Sequence, residues 1–520
     1  MLAFFVATLA SGGSTCGAWE AEVVGAFAHG GCPSAGLMAA GERARASGEH
    51  GCVVDALHLG GASPAMSSTR SAPSGAPSKE LRQVYSGLAA YLTDNFAVWW
   101  DVEGGIIEDA DAVALAEAFE ASWVTQHETM GYPAPLHTDD TLFNVYIGDS
   151  GPDAPSASGA AGYYTVDSDL YPFVVISAGV AVDHDYAKTV VSHEFFHAVQ
   201  DATHSPYGYG DGQVGAWFWE ASAVWMETEE YPGNDHAPYL LFGFAFLPEL
   251  PVDFFDYPDQ GATQEFHQYG AFIFIRYLTD YPSDWSLVQR AWVEPESGDP
   301  LAEFDRLLAE DGTTLDEAFT DFVARNATWD YPFGATYELA VQAMGGWESS
   351  QSHRPSGIIH GDTDGEWVVA DTNLPRGYGA NYWEFDDIPA GLSITFEGDE
   401  GPEAWHAVLA QSTAGERDQR VIPLDDGLTG TLELIDLAEV DELWLVVAAL
   451  DDARDPDLGF GYQFRIEEID VPEAEDAGEE DADPEEQPAG CGCATGGAGG
   501  LGTLALAGLS VWCRRRPRSR

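Results

Sequence analysis

His193-Glu194-Phe195-Phe196-His197 is the run of this chain that carries the most chemistry. Histidines four residues apart project from one face of a helix, so both imidazoles reach a single ion. Zinc takes such neutral nitrogens together with one further protein ligand and keeps a fourth position for water. Glu194, beside the first His, is then placed to take the proton from that water. With 14 histidines in 520 residues, chance yields this spacing on the order of a few hundredths of a time. An ordinary helix with two core-edge histidines is therefore the weaker explanation.

The third ligand has to come from outside that run, and His204, Asp201 and Glu220 are the candidates. A His six residues after the second, with a Gly between, would make a metzincin arrangement. Position 203 is Thr and position 200 is Gln, while His204 falls one residue late. Asp201 lies on the same helix as the histidines, where its short side chain points away from the open side of the ion. Glu220 lies in Trp217-Phe218-Trp219-Glu220-Ala221-Ser222-Ala223-Val224-Trp225-Met226-Glu227, a second helical run able to cross beneath the first. It completes a His, His, Glu ligand set and is the expected third ligand.

The run His193–Gln200 followed by Trp217–Glu227 resembles a gluzincin family of myxobacterial surface metalloproteases. The upstream Tyr146-Ile-Gly-Asp-Ser-Gly151 and Tyr171-Pro-Phe-Val-Val-Ile176 are similar to the same family, and the likeness spans roughly residues 95–335. It implies a zincin-like domain that cleaves peptide bonds with one zinc ion. It also implies that Pro172–Ser177, or a strand beside it, is the edge that pairs with an extended peptide. Gluzincins of this shape often carry a downstream tyrosine that steadies the oxyanion, and His267-Gln268-Tyr269-Gly270 looks like that segment. Tyr269 is the candidate, with His267 behind it. The thermolysin-like Asp four residues after the ligand Glu is replaced by Val224. Glu227, seven residues on, is placed to orient a ligand imidazole, but beside Glu229 and Glu230 it reads rather as an exposed helix carboxylate.

These side chains need a scaffold. Apolar spacing predicts helices over 109–130, 185–202, 216–229, 264–280, 301–310 and 315–326, with strands over 141–148 and 172–177 and a loop or edge segment over 159–164. From about 345 to 469 short alternating runs such as Asn381–Phe385, Leu392–Phe396, Gly430–Ile435 and Leu443–Ala448 predict an antiparallel sandwich. The expected fold class is an α+β zincin-like (gluzincin) metallopeptidase domain, residues 81–340, followed by an all-β sandwich-like domain, 341–470. Residues 1–80 read as a signal-like or pro-region ending in a Gly/Ser/Pro linker. Asp362-Thr363-Asp364-Gly365-Glu366 looks faintly like a calcium loop, but position twelve would be Asn373, so Ca2+ has no support and a solvated turn fits better. Gly148-Asp149-Ser150 lacks the second Gly of a nucleophile elbow at the right place.

Charge narrows the partners. The chain carries 87 acids against 21 bases, a net −66. Such a field repels phosphate backbones and excludes a nucleic-acid partner. Residues 471–490 hold nine acids and form a self-repelling linker. Cys491-Gly492-Cys493 follows, then the uncharged Ala494–Cys513, long enough to cross a membrane, and the arginines from Arg514 on. This end resembles the MYXO-CTERM sorting tail of myxobacterial surface proteins. That likeness implies export, recognition near Cys491 or Cys493 and delivery to the cell surface. Leu2–Ala10 reads as an export-signal core, although no basic residue precedes it, and Cys16, Cys32 and Cys52 allow one disulfide of undetermined pairing. The expectation is an exported, cell-surface zinc metallopeptidase acting on peptide or protein substrates. Two rivals are a surface adhesion protein with structural zinc and a zinc hydrolase with a non-peptide substrate.

Overall fold

The computed structural model describes residues 79–471, apart from 211, 235, 257–261, 346–357, 361–364 and 386–387. The expected export signal and the three N-terminal cysteines, Asp362 to Asp364 of the calcium-like run, the acidic run 471–490 beyond Val471 and the expected sorting tail with its apolar span lie outside the described residues. Among the described residues no helix is long and apolar enough to cross a membrane. Helices and three sheets make a mixed α/β architecture in two parts, helix-rich and then all-β.

The first sheet has the order β1 (Ala89–Leu92), β2 (Phe96–Trp100), β3 (Phe143–Gly148), β5 (Pro172–Ser177), β4 (Gly162–Val166). β2, β3 and β5 run parallel, whereas β1 and β4 are antiparallel at the two edges. Alternation across the pleat gives the three inner strands two buried faces, while β4 at the edge is only half-buried. Phe96, Val98, Trp100, Val145, Ile147, Val174 and Ile176 face the helices, while Ala97, Trp99, Tyr146, Phe173 and Val175 form a smaller core on the other side. Pro172–Ser177 is therefore a central strand. The exposed edge falls on its neighbour β4, the segment that sequence leaves between loop and strand.

α1 (Asp109–Ser122) begins with a reciprocal cap between Glu108 and Asp111 and widens into π-helix over Trp123–Thr129. α2 (His184–Ala202) starts where the Asp183 side chain accepts from the Tyr186 N–H, and α3 (Ala216–Glu230) starts at Gly215. Gly215 is required by contact, because a Cβ there would stand 2.7 Å from Tyr207 Cβ. Both helices are buried nearly all round, α2 between the sheet and α3. The expected helix over 264–280 is broken into Ala262–Glu265, His267–Gly270 and α4 (Phe272–Asp280). Gly270 ends the middle segment, where a Cβ would meet Phe244 N at 2.7 Å. Then come α5 (Trp285–Val293), α6 (Pro300–Asp311), α7 (Leu315–Ala327) and α8 (Gly334–Gly345). α6 opens on an Asp299 cap with Pro300 in its first turn and stops at Gly312, φ +86°.

Two antiparallel sheets follow. One has the order β11 (Glu416–Val421), β10 (Ala404–Thr413), β13 (Glu442–Leu450), and the other β12 (Thr429–Leu434), β9 (Leu392–Gly398), β14 (Tyr462–Glu468), β7 (Glu366–Val369), β6 (Ile358–His360). β8 (Gly379–Glu384) runs beside β13. Leu443, Leu445 and Val447 point into the space between the sheets with Ile394, Phe396 and Phe464. Trp444, Val446, Ala448 and Leu450 point the other way and join the helical core. β13 thus has two apolar faces, and the described residues up to Val471 form one compact unit.

Arg454, just after β13, ties the β-rich part to the helices by pairing with Asp253 at 2.9 Å and with Asp299. Burial raises the Asp253 pKa, Arg454 pulls it back, and Asp299 raises it again, leaving it at about 6 against an ordinary 3.8. The native state then holds this proton more tightly than the unfolded chain. The resulting stability is complete below about pH 4 and is lost as pH rises to about 6. Asp253→Asn keeps an acceptor for Arg454 without that titration. Its thermal midpoint should gain on the parent's between pH 4.5 and pH 7, and a constant difference would show that Asp253 does not titrate there.

Candidate metal centre

α2 delivers His193 and His197 on one face, and α3 crosses it to deliver Glu220. His193 Nε2 stands 3.2 Å from Glu220 Oε2, and His197 Nε2 stands 3.6 Å from the same oxygen. Their ligand atoms all lie within 4.8 Å of one another. Tetrahedral zinc with bonds near 2.1 Å separates neighbouring ligand atoms by roughly 3.4 Å, so the two measured separations bracket what one ion requires. The three residues are 8%, 9% and 5% exposed, which keeps competing water out without sealing the site. Among the described residues no other set of three His, Cys, Asp or Glu side chains converges in this way.

Each imidazole is held from behind. His193 Nδ1 lies 2.9 Å from Glu227 Oε1, and Glu227 Oε2 accepts from His236 Nδ1 at 2.7 Å. His197 Nδ1 lies 2.7 Å from Gln200 Oε1. The Gln200 amide nitrogen donates to Trp219 O at 2.9 Å and to Ser222 Oγ at 3.0 Å, which fixes the amide orientation. Acceptors at both Nδ1 atoms place the ring protons there and turn the Nε2 lone pairs toward Glu220. Glu220 Oε1, the oxygen facing away from the imidazoles, accepts from the Tyr209 hydroxyl at 2.9 Å.

Electrostatics support an ionised ligand beside a base that takes up protons readily. Burial opposes charge on Glu220, but the His197 and His193 imidazoles outweigh it and hold its pKa well below the usual carboxylate range. Burial pushes the Glu194 carboxyl up, and the same imidazoles offset only part of the rise. Glu194 lies against the edge strand, where a Cβ on Gly162 would meet Glu194 Cγ at 2.9 Å. Only glycine at that position of β4 leaves the carboxylate its space.

Glu220 joins the two histidines, and the other third-ligand candidates do not. His204 is exposed, past the helix end, in left-handed conformation at φ +54°. Asp201 accepts from the Tyr164 hydroxyl of β4 at 2.6 Å. Tyr269 is half-buried, with its ring stacked 6.2 Å from that of His193. His267 is a core residue lying between Phe244 and Phe254, and burial pushes its pKa down to about 3. It does not stand behind Tyr269 as an alternative donor. Glu227 corrects the sequence reading most clearly: it is fully buried, not an exposed helix carboxylate, because α3 is covered on that side by the turn carrying His236. Ser150 is buried, donates to Ile147 O at 2.6 Å and serves a turn.

Sequence reasoning passed over three residues. Gln200 had a signal, since a position three residues after His197 on a helix is its neighbour. Tyr209 and His236 come from loops with no spacing that points to the site.

Residues 71–420 match DUF6055, a family of unknown function. The chain belongs to that family. No curated protein matches it at a significant level. Within the matched span of this DUF6055 member lie His193, His197 and Glu220, with Glu194 and the residues behind them.

Glu227→Gln keeps the shape of the side chain and removes its charge. It is expected to weaken zinc binding by about 10- to 100-fold, because the amide leaves one neutral acceptor oxygen where His193 and His236 each had a charged one, and so loosens the hold on the His193 ring. Competition with a chelator of known affinity measures this, and an unchanged affinity would remove Glu227 from the centre.

Proposed function

We propose that this DUF6055 member is an exported zinc metallopeptidase of gluzincin type. The observation that carries the reading is the convergence of two backed imidazoles on one oxygen of a buried glutamate, with a second glutamate beside them. When bound, zinc supplies Lewis acidity toward water and a substrate carbonyl. His193, His197 and Glu220 are the residues that would hold it. Glu194 takes the proton of the attacking water on its carboxylate and passes it to the leaving amine, a task helped by its raised pKa. β4, an edge of the first sheet beside Glu194, offers backbone groups to an extended peptide. Tyr269 supplies a phenol donor for the charge that develops on the carbonyl oxygen. The likeness of residues 491–520 to a sorting tail supports a cell-surface location, with the membrane engaged only before sorting.

A structural zinc in an adhesion protein would close the fourth position with a protein ligand. The group here comprises three ligands, and Glu194 is the nearby carboxylate that remains for proton transfer. Incubation of the full-length protein and zinc with a peptide library tests the proposal. Cleavage that a chelator abolishes and zinc restores is the expected result. Silence toward peptides with zinc bound would overturn it in favour of a binding protein or a hydrolase of another substrate.

A further inference from the structure

Tyr209 reaches the centre from an unusual position. Its side chain is 52% exposed, yet its hydroxyl donates at 2.9 Å to Oε1 of the almost wholly buried Glu220. The phenol therefore crosses the mouth of the site. The loop that carries it has glycine on both sides, Gly208 and Gly210, with Gly210 at φ +105° and Gly212 at φ +73°. A side chain on Gly208 would strike Gln213, so glycine lets the loop fold back on itself there. The ring packs edge-on against Trp219 at 6.1 Å and against Phe255 at 5.8 Å. Trp219 is itself fixed, since its indole N–H donates to Tyr207 O at 3.1 Å and the Tyr207 hydroxyl donates to Ala291 O at 2.9 Å.

The two oxygens of Glu220 are thus divided. Oε2 faces both imidazoles, and Oε1 is occupied by a phenol. A carboxylate ligand with both oxygens free binds a metal through one or through both, and the second mode takes up room that water needs. We infer that Tyr209 is a positioning residue that keeps Glu220 a one-oxygen ligand and so leaves the fourth metal position open. The inference rests on the zinc-site reading above. It assigns Tyr209 a role that acts through Glu220 and not on the substrate.

The test substitutes cobalt(II) for zinc in the full-length protein, because cobalt reports coordination number through the intensity of its visible absorption. Tyr209→Phe keeps the ring and its packing on Trp219 and Phe255 while removing the donor. The variant is expected to bind one cobalt per chain with affinity within a few-fold of the parent. Its visible band should weaken from four-coordinate to five-coordinate intensity. Peptide turnover should fall by about 10- to 100-fold in kcat with KM little changed, the size of effect usual for partners of a metal ligand. An unchanged cobalt spectrum would overturn the inference and leave the metal site standing. Loss of the metal from the variant would also overturn it, since Tyr209 would then hold the ligand in place and not the open position. Failure of the parent itself to bind cobalt would sink the zinc-site reading and this inference together.

Discussion

Glu194→Gln is expected to keep one zinc per chain and to lose peptide hydrolysis by roughly 10²- to 10⁴-fold, equivalent to about 3–5 kcal/mol in the barrier. The two halves of this result come from different features. Metal retention follows because Glu194 lies outside the group whose ligand atoms converge. Loss of turnover follows because Glu194 is the adjacent buried carboxylate with a pKa raised by burial, and an amide in its place has no proton affinity to offer. Glutamine also fills the space under Gly162 that the glutamate fills, so packing against the edge strand is preserved. Metal content from atomic absorption and turnover on the best library peptide are the two readouts. Full activity in the variant would remove general-base catalysis by this residue. Loss of zinc would mean that Glu194 belongs among the ligands.

The legible parts of this chain are those where one physical signal acts alone. Spacing along 184–202 predicts α2 almost to the residue, because the helix has a clear cap at Asp183 and no glycine inside. Pro172–Ser177 is recognised as a strand from its β-branched run, although its central place depends on which strand lies outside it. β1 and β2 escape notice because Ala89–Leu92 and Phe96–Trp100 have too little polar alternation to announce a strand; the interior of the sheet is apolar on both faces. The same cause hides the dual role of β13, whose odd and even residues enter different cores. The break before α4 is invisible to periodicity, as is the close approach of Phe244 to Gly270, which residues far apart in the chain make.

At the candidate metal centre the divide follows covalent distance. His193, Glu194 and His197 are fixed relative to one another by a single helix, so their spacing is informative. Glu220 is reachable because α3 is a second recognisable helix. Glu227 shows the limit of such inference. Its neighbours Glu229 and Glu230 make it look solvated, and nothing local reveals that His236 covers it from the following turn. Tyr209 lies beyond that limit altogether, since a glycine-flanked tyrosine in a loop reads as a turn until the loop is seen to fold over Glu220.

The choice of third ligand separates most sharply in a paired substitution. Glu220→Ala is expected to abolish stoichiometric zinc binding, with a loss larger than the ~10- to 100-fold that removal of an outer partner costs. His204→Ala should bind zinc as the parent does. The reason is positional: Glu220 Oε2 is the atom both Nε2 lone pairs face, whereas His204 is exposed beyond the end of α2. Removing Glu220 takes away the oxygen that both Nε2 atoms face, while Glu227 and Gln200 hold the two rings only from behind, at Nδ1. Equilibrium dialysis against zinc reads both variants directly and needs no substrate. Zinc retained by Glu220→Ala and lost by His204→Ala would mean that the loop after α2 folds back in solution to complete the site, and the gluzincin-type ligand set would be withdrawn.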